Sequence, residues 1–523
     1  MSVGVEAVTV RMYRNLLGDC FLIRIHEEGG AARHILIDCG LLQSLENASA
    51  RMQAVAADIL ATCKGRLDVV VVTHEHWDHL SGFAQAKDLL LDPERLTIGA
   101  LWLAWTEDPG DAQANALRAR FERRSMALSA FAAAGGESGG GSELLDGLER
   151  FIGPRDLPGN AFGAAPTGRL TGRRILDELK ALAGEARTRY LEPGTVVQTP
   201  GEAALEVAVL APPRNQQRLF KDLPSGGAAK ETWLDEEILG QAAGDSPFAA
   251  KYSAGLDRET VRRDGAKAAP GSPLRLLHDR YFADRDPEEG RAQAYRRIDG
   301  VHAETAARLA LKLDSDTNNS SLVLAFRLPD DGFLLFAADA QVGNWLSWHD
   351  QDYGFADGRL SAVDILGRTR LYKVGHHGSH NATLKGEGLE RMTRDDLVAM
   401  ISTVEEEAGR QGRRKSAPDR PGWQMPDKNV LDALLERCAG RVVIGDRRWR
   451  DGHDEARFGG QQAFAAILDE DEELYVDVRI FGGERPPPPA EETKDDARTR
   501  SRKGPRPRRQ AGHSAAAGRA GSA

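Results

Sequence analysis

Three histidines and one aspartate fall within six residues, directly after a run of four valines. The segment reads Val69-Val-Val-Val-Thr73-His74-Glu75-His76-Trp77-Asp78-His79. A β-branched run without alternation is typical of a strand that is buried on both faces of a layered sheet. Imidazole nitrogens and carboxylate oxygens are ligands that suit Zn²⁺, Mn²⁺ and Fe. The segment therefore predicts a metal centre at the carboxyl end of a buried strand.

The spacing within this segment can supply ligands to two neighbouring positions. Alternation places His74 and His76 on one side as the strand ends, and Asp78 and His79 follow in the next turn. Glu75 and Trp77 lie between them and are predicted to have structural roles. The alternative is a polar strand-to-helix turn whose histidines are incidental.

Composition excludes several classes of protein. The chain has 523 residues, 41% hydrophobic and 28% charged, which predicts a globular protein of two or three domains, or one large domain with insertions. No run reaches about 18 apolar residues, and the first residues lack a secretory pattern, so we expect no membrane span and no secretion. The four cysteines are too few and too scattered for a disulfide framework, which favours a cytoplasmic location.

Strand-like runs cluster in two halves of the chain, with helical and polar segments between them. The first strands are separated by short Gly-containing turns, which favours a layered α/β sandwich over a doubly wound parallel sheet. We predict residues 1–105 as the first half of the domain, 106–199 as a Gly/Ala-rich insertion, 200–213 as a core strand, 214–316 as a helical and polar insertion, 317–483 as the second half and 484–523 as a disordered, Pro-rich, basic tail.

Four motifs in order resemble the metallo-β-lactamase superfamily. THEHWDHLSG resembles its HxHxDH signature, and Asp38 in ILIDCG resembles its early aspartate. Asp339 in LLFAADA resembles the aspartate that bridges two metals, and YKVGHHGSHNAT resembles the late histidine motif. The HHGS sequence, together with NNSSLVL at 318–324, is most similar to the ComEC/Rec2-type branch. The resemblance covers roughly 1–105, 200–213 and 317–450, and it implies an αββα four-layer sandwich.

The resemblance also implies a site with two divalent metal ions, zinc or manganese. The implied metal ligands are His74, His76, Asp78, His79, Asp339 and His377, with Asp78 also orienting the nucleophile. The residues expected beside the metals or at the substrate are Asp38, His376, Ser379, His380, Asn318 and Asn319. A carboxylate at Asp38 can fix the tautomer of a ligating histidine. At Asp339, which ends an apolar run, an unpaired carboxylate would be costly to bury.

Two departures from the family pattern concern the residues around Asp339. Superfamily members often place a third histidine for the first metal before this strand, whereas DSDTNNSSLVL has Asn318 and Asn319 there. The nearest histidine, His302, lies in a helical pattern and is predicted as an ordinary surface residue. We therefore expect water or an amide oxygen to complete the first position. Ala338 replaces the glycine usual before the aspartate, and we expect this change to be tolerated.

These features predict a metal-dependent hydrolase that uses a metal-activated hydroxide. A phosphodiester of nucleic acid or nucleotide is the preferred substrate, because paired metals stabilise both the attacking and the leaving oxygen. A lactonase or thioesterase that cleaves a carboxyl ester is an alternative, and a catalytically silent scaffold is another. The expected partners include a phosphate-containing substrate such as nucleic acid and exclude membranes; protein partners stay open. The basic tail is either a phosphate-binding segment or a solvated linker.

Overall fold

The computed structural model describes residues 4–42, 45, 47–135, 153, 170–221, 258–281, 310–411, 422–452 and 454–482. His302 and the tail at 484–523 lie outside the described residues, as do large parts of both predicted insertions. The described part of the chain contains two large sheets, two short two-stranded sheets and the helices that cover them.

The strands form in the places where β-branched and aromatic residues concentrate. In chain order they are β1 (Val5–Tyr13), β2 (Phe21–Glu27), β3 (Ala32–Ile37), β4 (Arg66–Leu67), β5 (Val69–Val71), β6 (Thr97–Ile98), β7 (Leu101–Ala104), β8 (Thr188–Leu191), β9 (Val196–Gln198), β10 (Glu206–Ala211), β11 (Val323–Arg327), β12 (Phe333–Phe336), β13 (Asp352–Phe355), β14 (Gly358–Ser361), β15 (Thr369–Lys373), β16 (Val398–Ile401), β17 (Val442–Ile444), β18 (Leu468–Glu470) and β19 (Tyr475–Phe481).

The helices lie mainly between these strands. In chain order they are α1 (Ala48–Cys63), α2 (Trp77–Gln85), α3 (Lys87–Leu90), α4 (Ala112–Gly135), α5 (Gly172–Ala183), α6 (Gln216–Leu219), α7 (Arg258–Asp264), α8 (Pro273–Tyr281), α9 (310–319), α10 (Val342–Trp348), α11 (Ala362–Gly367), α12 (Glu405–Arg410), α13 (Lys428–Arg437), α14 (Trp449–Gly452), α15 (Glu455–Phe458) and α16 (Gln462–Ile467). Short 3₁₀ turns occur at Trp105–Glu107, Glu185–Arg187, Gly265–Lys267, Gly375–Gly378 and Leu389–Arg391.

Both large sheets combine an antiparallel and a parallel part. The first has the order β18-β19-β1-β2-β3-β5-β7-β8, and β3, β5, β7 and β8 run parallel. The second has the order β17-β16-β15-β12-β11-β10-β9, and β12, β15, β16 and β17 run parallel. Because the carboxyl ends of parallel strands meet at one edge of a sheet, each sheet gathers the residues that follow its parallel strands at such an edge.

The predicted four-layer α/β sandwich is confirmed. One apolar cluster contains buried residues of both sheets, such as Val10 and Ile23 from the first and Val209 and Met400 from the second. A second cluster joins the other face of the first sheet to α1, α2 and α5, and a third joins the second sheet to α10, α11 and α13. The sequence thus buries both faces of each sheet, which accounts for the continuous valine run of β5.

The end of the predicted first insertion contributes to the two sheets. Within 106–199, α5 packs its apolar face against the first sheet, with Ile175, Leu176 and Leu179 buried. β8 then pairs parallel with β7, and β9 pairs antiparallel with β10. The Gly/Ala-rich composition of the preceding residues concealed this return to core structure, because the strands at 188–191 and 196–198 are short and partly polar.

Phe336 provides a test of the packing between the sheets. Its ring is 2% exposed and lies 5.7 Å from the ring of Phe21 and 5.9 Å from that of Phe326, both in edge-on contact. Phe336→Ala is expected to lower the free energy of unfolding by about 3–5 kcal/mol, because it leaves a cavity. Urea unfolding measures the loss. Val363→Ala, at a side chain 41% exposed, should change stability by less than about 0.5 kcal/mol, and equal effects would contradict the packing.

Candidate metal centre

The carboxyl edges of the two sheets bring the sequence-predicted ligands together. Ligand atoms of Asp78, His79, Asp339 and His377 all lie within 4.8 Å of one another. Each of these four side chains is at most 1% exposed. Asp78 and His79 follow β5 on the first sheet, whereas Asp339 follows β12 and His377 follows β15 on the second. Two sheets that are distant in sequence therefore supply one cluster of metal-ligand type.

His74 and His76 lie in the extended link between β5 and α2, beside this cluster. The ring centroid of His74 is 4.8 Å from that of His76 and 4.1 Å from that of His79. His74 Nδ1 lies 3.1 Å from Thr73 Oγ1, and its Nε2 is buried with no hydrogen-bond partner among the described residues. A buried nitrogen of this kind is costly unless a ligand satisfies it, as a metal ion does.

Hydrogen bonds to Nδ1 fix how two of the histidines face the cluster. His79 Nδ1 donates to Asp38 Oδ2 at 2.7 Å, and His377 Nδ1 donates to the Ser402 carbonyl at 2.6 Å. Each Nε2 then faces a carboxylate: His79 Nε2 lies 3.3 Å from Asp339 Oδ2, and His377 Nε2 lies 2.9 Å from Asp78 Oδ2. Partners at the far nitrogen of an imidazole are typical of metal-ligating histidines.

Asp38 is an acceptor that joins two parts of the first sheet. Besides His79, it accepts hydrogen bonds from the backbone N–H of Thr73 at 2.8 Å and from the Thr73 hydroxyl at 2.7 Å. The side chain is fully buried. Asp38 thus fixes the segment after β5 and orients His79. This arrangement is expected of a carboxylate that accepts a hydrogen bond from the outer nitrogen of a metal-ligating histidine.

Negative charge exceeds positive charge at this buried edge. Asp19, Asp38, Asp78 and Asp339 are each at most 2% exposed, and Lys373 is 1% exposed. Lys373 Nζ forms an ion pair with Asp19, donates to the Ala338 carbonyl at 3.1 Å and lies 3.8 Å from Asp339 Oδ1. One ammonium does not balance four carboxylates, and the same carboxylates raise the pKa values of His79 and His377, so that bound protons offset part of the charge; the donor set also fits metal cations. A proton on His79, which lies between Asp38 and Asp339, relieves part of the excess.

The pKa values report the same imbalance. Burial alone would lower the pKa of His79, but Asp339 and the other nearby carboxylates raise it well above its ordinary value. Burial would raise the pKa of Asp339, but His79 and His376 hold it well below its usual range. Burial, with His79 and His76 nearby, lowers the pKa of His74 well below its ordinary value. These directions favour a neutral His74 and an ionised Asp339, which are the forms that metal coordination requires of an imidazole and a carboxylate.

The remaining candidates occupy different surroundings. His376 Nε2 lies 3.9 Å from Asp339 Oδ2, and its Nδ1 lies 3.0 Å from the Ser379 hydroxyl. Ser379 is buried. His380 is exposed, unlike the other residues that the sequence predicts beside the metals or at the substrate. Asn319 is buried and its Oδ1 accepts the Gln341 N–H at 3.1 Å, which fixes the turn after Asp339.

Sequence reasoning missed two participants in this network, Asp19 and Lys373. Asp19 also accepts a hydrogen bond from the Ser402 hydroxyl, so it connects the segment before β2 with the last residue of β15 and with the residue that follows β16. The available signal was their position: each lies at one end of a strand beside a motif, in LLGDCF and LYKVGHH. Neither belongs to a ligand-spacing pattern, and their pairing needs the assembled sheets.

Several residues at the site adopt left-handed backbone conformations. Asp38 has a φ of 55°, Ala338 of 48°, His376 of 43° and His377 of 52°. Such values cost non-glycine residues free energy and persist where surrounding contacts impose them. The carbonyl of Ala338 accepts hydrogen bonds from His376 N and from Lys373 Nζ, which holds this conformation in place.

Residues 13–95 match a family model described as the metallo-beta-lactamase superfamily. The matched segment contains Asp38 and the predicted ligands at 74–79, while Asp339 and the His376–His377 pair lie beyond it. No curated protein matches the chain. The match suggests metal-dependent hydrolase activity for this domain. It does not distinguish branches of the superfamily, so the ComEC/Rec2-type branch remains a prediction.

Among the helices of the described residues, none combines the length and the apolar character that a bilayer span requires.

Ala338 offers a test of the strained turn beside Asp339. Ala338→Gly is expected to raise the free energy of unfolding by about 1 kcal/mol, because glycine adopts positive φ without the steric cost that alanine carries. Urea unfolding of the metal-free protein measures the change. Ala382→Gly, at a buried alanine outside the left-handed set, should lower stability instead, and a gain in both variants would contradict the argument.

Proposed function

We propose that the protein is a metal-dependent hydrolase with two divalent ions, zinc or manganese, at the edge where the two sheets meet. The observation that supports this most strongly is the buried cluster of Asp78, His79, Asp339 and His377. Its excess of negative charge, and the buried nitrogen of His74, both favour bound cations.

The proposed assignment divides the ligands between two adjacent positions. His74 and His76 contribute to the first position, and Asp78, His79 and His377 contribute to the second, with Asp339 between the two. Divalent ions bound there would supply Lewis acidity, lowering the pKa of water and polarising the bond to be cleaved. Asp78 Oδ1 is buried with no hydrogen-bond partner among the described residues, so this oxygen can orient a water molecule.

A phosphodiester of nucleic acid or nucleotide is the substrate class that we propose. A pair of metal positions can stabilise both the attacking and the leaving oxygen of a phosphoryl centre. The Ser379 hydroxyl and the His376 imidazole lie at the rim of the cluster, and we propose that they contact a phosphate oxygen when substrate is bound; without substrate the hydroxyl donates to Asn381 Oδ1 at 3.0 Å. The HHGS resemblance to the ComEC/Rec2-type branch favours the same class. The proposed location is the cytoplasm, where the four buried, free cysteines would stay reduced.

The activity prediction concerns His76 and Asp78. His76→Ala and Asp78→Ala are each expected to lower the rate of hydrolysis of a model phosphodiester, bis-p-nitrophenyl phosphate, by about 100-fold or more, because each removes a proposed ligand worth several kcal/mol in the transition state. Initial rates of the zinc-loaded and manganese-loaded proteins measure the effect.

The matched control for these variants is His349→Ala. His349 bonds the Glu387 carbonyl at 2.8 Å, away from the ligand set, so its removal should leave turnover within about twofold of the original. Unchanged turnover in His76→Ala and Asp78→Ala would refute the mechanism. Hydrolysis of a lactone with no hydrolysis of the diester would keep the metal centre and replace the substrate class by a carboxyl ester.

Metal content separates an enzyme from a silent scaffold. The purified protein, equilibrated with zinc and freed of excess ions, is expected to retain about two ions per chain, because the ligand set offers two positions. Elemental analysis by plasma mass spectrometry measures the ratio. A value well below one ion per chain would contradict the proposal and favour a scaffold role.

A further inference from the structure

Asp314 on α9 lies beside the first of the two proposed metal positions. Its Oδ1 is 3.8 Å from His76 Nε2, and its side chain is 14% exposed. Asp314 begins the stretch DSDTNNSSLVL, in which no histidine occurs. A carboxylate therefore stands near the position for which the sequence offered only water or an amide oxygen.

Asn318 is a buried residue that contacts the Asp314 carboxylate. It lies one turn after Asp314 on the same helix, and its Nδ2 donates to Asp314 Oδ2 at 3.3 Å. The side chain is fully buried, and its Oδ1 has no hydrogen-bond partner among the described residues. His74 Nε2 is a second buried atom without such a partner, on a ring whose centroid is 4.8 Å from that of His76. Two unsatisfied buried polar atoms therefore belong to residues that contact Asp314 or His76, which fits a cation bound at this pair.

The helix that carries Asp314 is fixed from its other side. Asp316, two residues further on, forms an ion pair with Arg124 of α4, and both side chains are at most 1% exposed. Lys312 Nζ donates to Asp316 Oδ1 at 2.7 Å and to the Phe220 carbonyl at 2.9 Å. Because these contacts fix one face of α9, the buried ion pair and hydrogen bonds hold Asp314 next to His76.

We propose that the Asp314 carboxylate, oriented by Asn318, is the third protein ligand of the first metal position, with His74 and His76. This inference rests on the proposed function, since it concerns the same pair of ions. A carboxylate oxygen is a harder ligand than the imidazole nitrogen of the third histidine that superfamily members often have at this position. The first position is therefore better suited to Mn²⁺, relative to zinc, than a position with three histidines.

The test compares two variants that each remove one negative charge. Asp314→Asn is expected to weaken the binding of one of the two zinc ions by at least about 10-fold and leave the other unchanged, because a neutral amide is a poorer ligand. Competition with a chromophoric zinc chelator measures both affinities. Asp331→Asn is the control, because this exposed turn residue has a φ of 63°, which asparagine tolerates. It should retain both affinities.

Asp314→His supplies a second readout that does not depend on loss of binding. This variant is expected to bind two ions, and the visible absorption of its Co²⁺ form should shift because a nitrogen replaces an oxygen at one ion. Two unchanged zinc affinities in Asp314→Asn, or an unchanged Co²⁺ spectrum in Asp314→His, would overturn the role of Asp314 while leaving the proposed function intact. An unaltered protein that binds well below one ion would overturn both.

Discussion

The buried negative charge at the meeting edge of the two sheets is the constraint on which the site depends. Four aspartates, Asp19, Asp38, Asp78 and Asp339, are removed from water, and one buried lysine, Lys373, pairs with Asp19 and lies 3.8 Å from Asp339. Burying an unbalanced charge costs several kcal/mol, so a chain that keeps this arrangement must offset it with protons or metal ions. The raised pKa of His79 favours a proton on this ring, which offsets part of the buried charge; bound metal cations would replace this proton.

The fold creates this constraint through the directions of its strands. The parallel part of each sheet sends its carboxyl ends to one edge, so residues after β3 and β5 meet residues after β12, β15 and β16. Hydrogen bonds at Nδ1, from His79 to Asp38 and from His377 to the Ser402 carbonyl, then fix the orientation of these two proposed ligands. The insertions contribute as well, since the Arg124–Asp316 ion pair holds the helix of Asp314. Binding of ions to such a preformed arrangement stabilises the folded state by mass action.

The sequence predicted those parts of the site that depend on local spacing. The valine run before His74, the ligands at 74–79 and the apolar run before Asp339 are local patterns, and the layered fold followed from them. The structure places the ligand segments together, while the roles of the individual residues stay predictions. Asp19 and Lys373 carry no local pattern, and their meeting depends on contacts between residues such as Asp19 and Ser402, which are 383 positions apart. Asp314 lies on a helix and in no ligand-spacing pattern, so a pattern of histidines does not point to it.

The pairing of β1 with β19 has a consequence for how the protein is made. The first strand of the domain lies between β2 and the last strand, and the register runs from Val8 opposite Phe481 to Tyr13 opposite Tyr475. A chain emerging from the ribosome therefore presents the histidines at 74–79 for about ten seconds or more before Asp339 is synthesised. During that interval the early histidines have none of their distant partners, and the first sheet lacks its closing strand. Under the proposed function, stable capture of metal would accordingly be a late event in biosynthesis, after translation has passed β19.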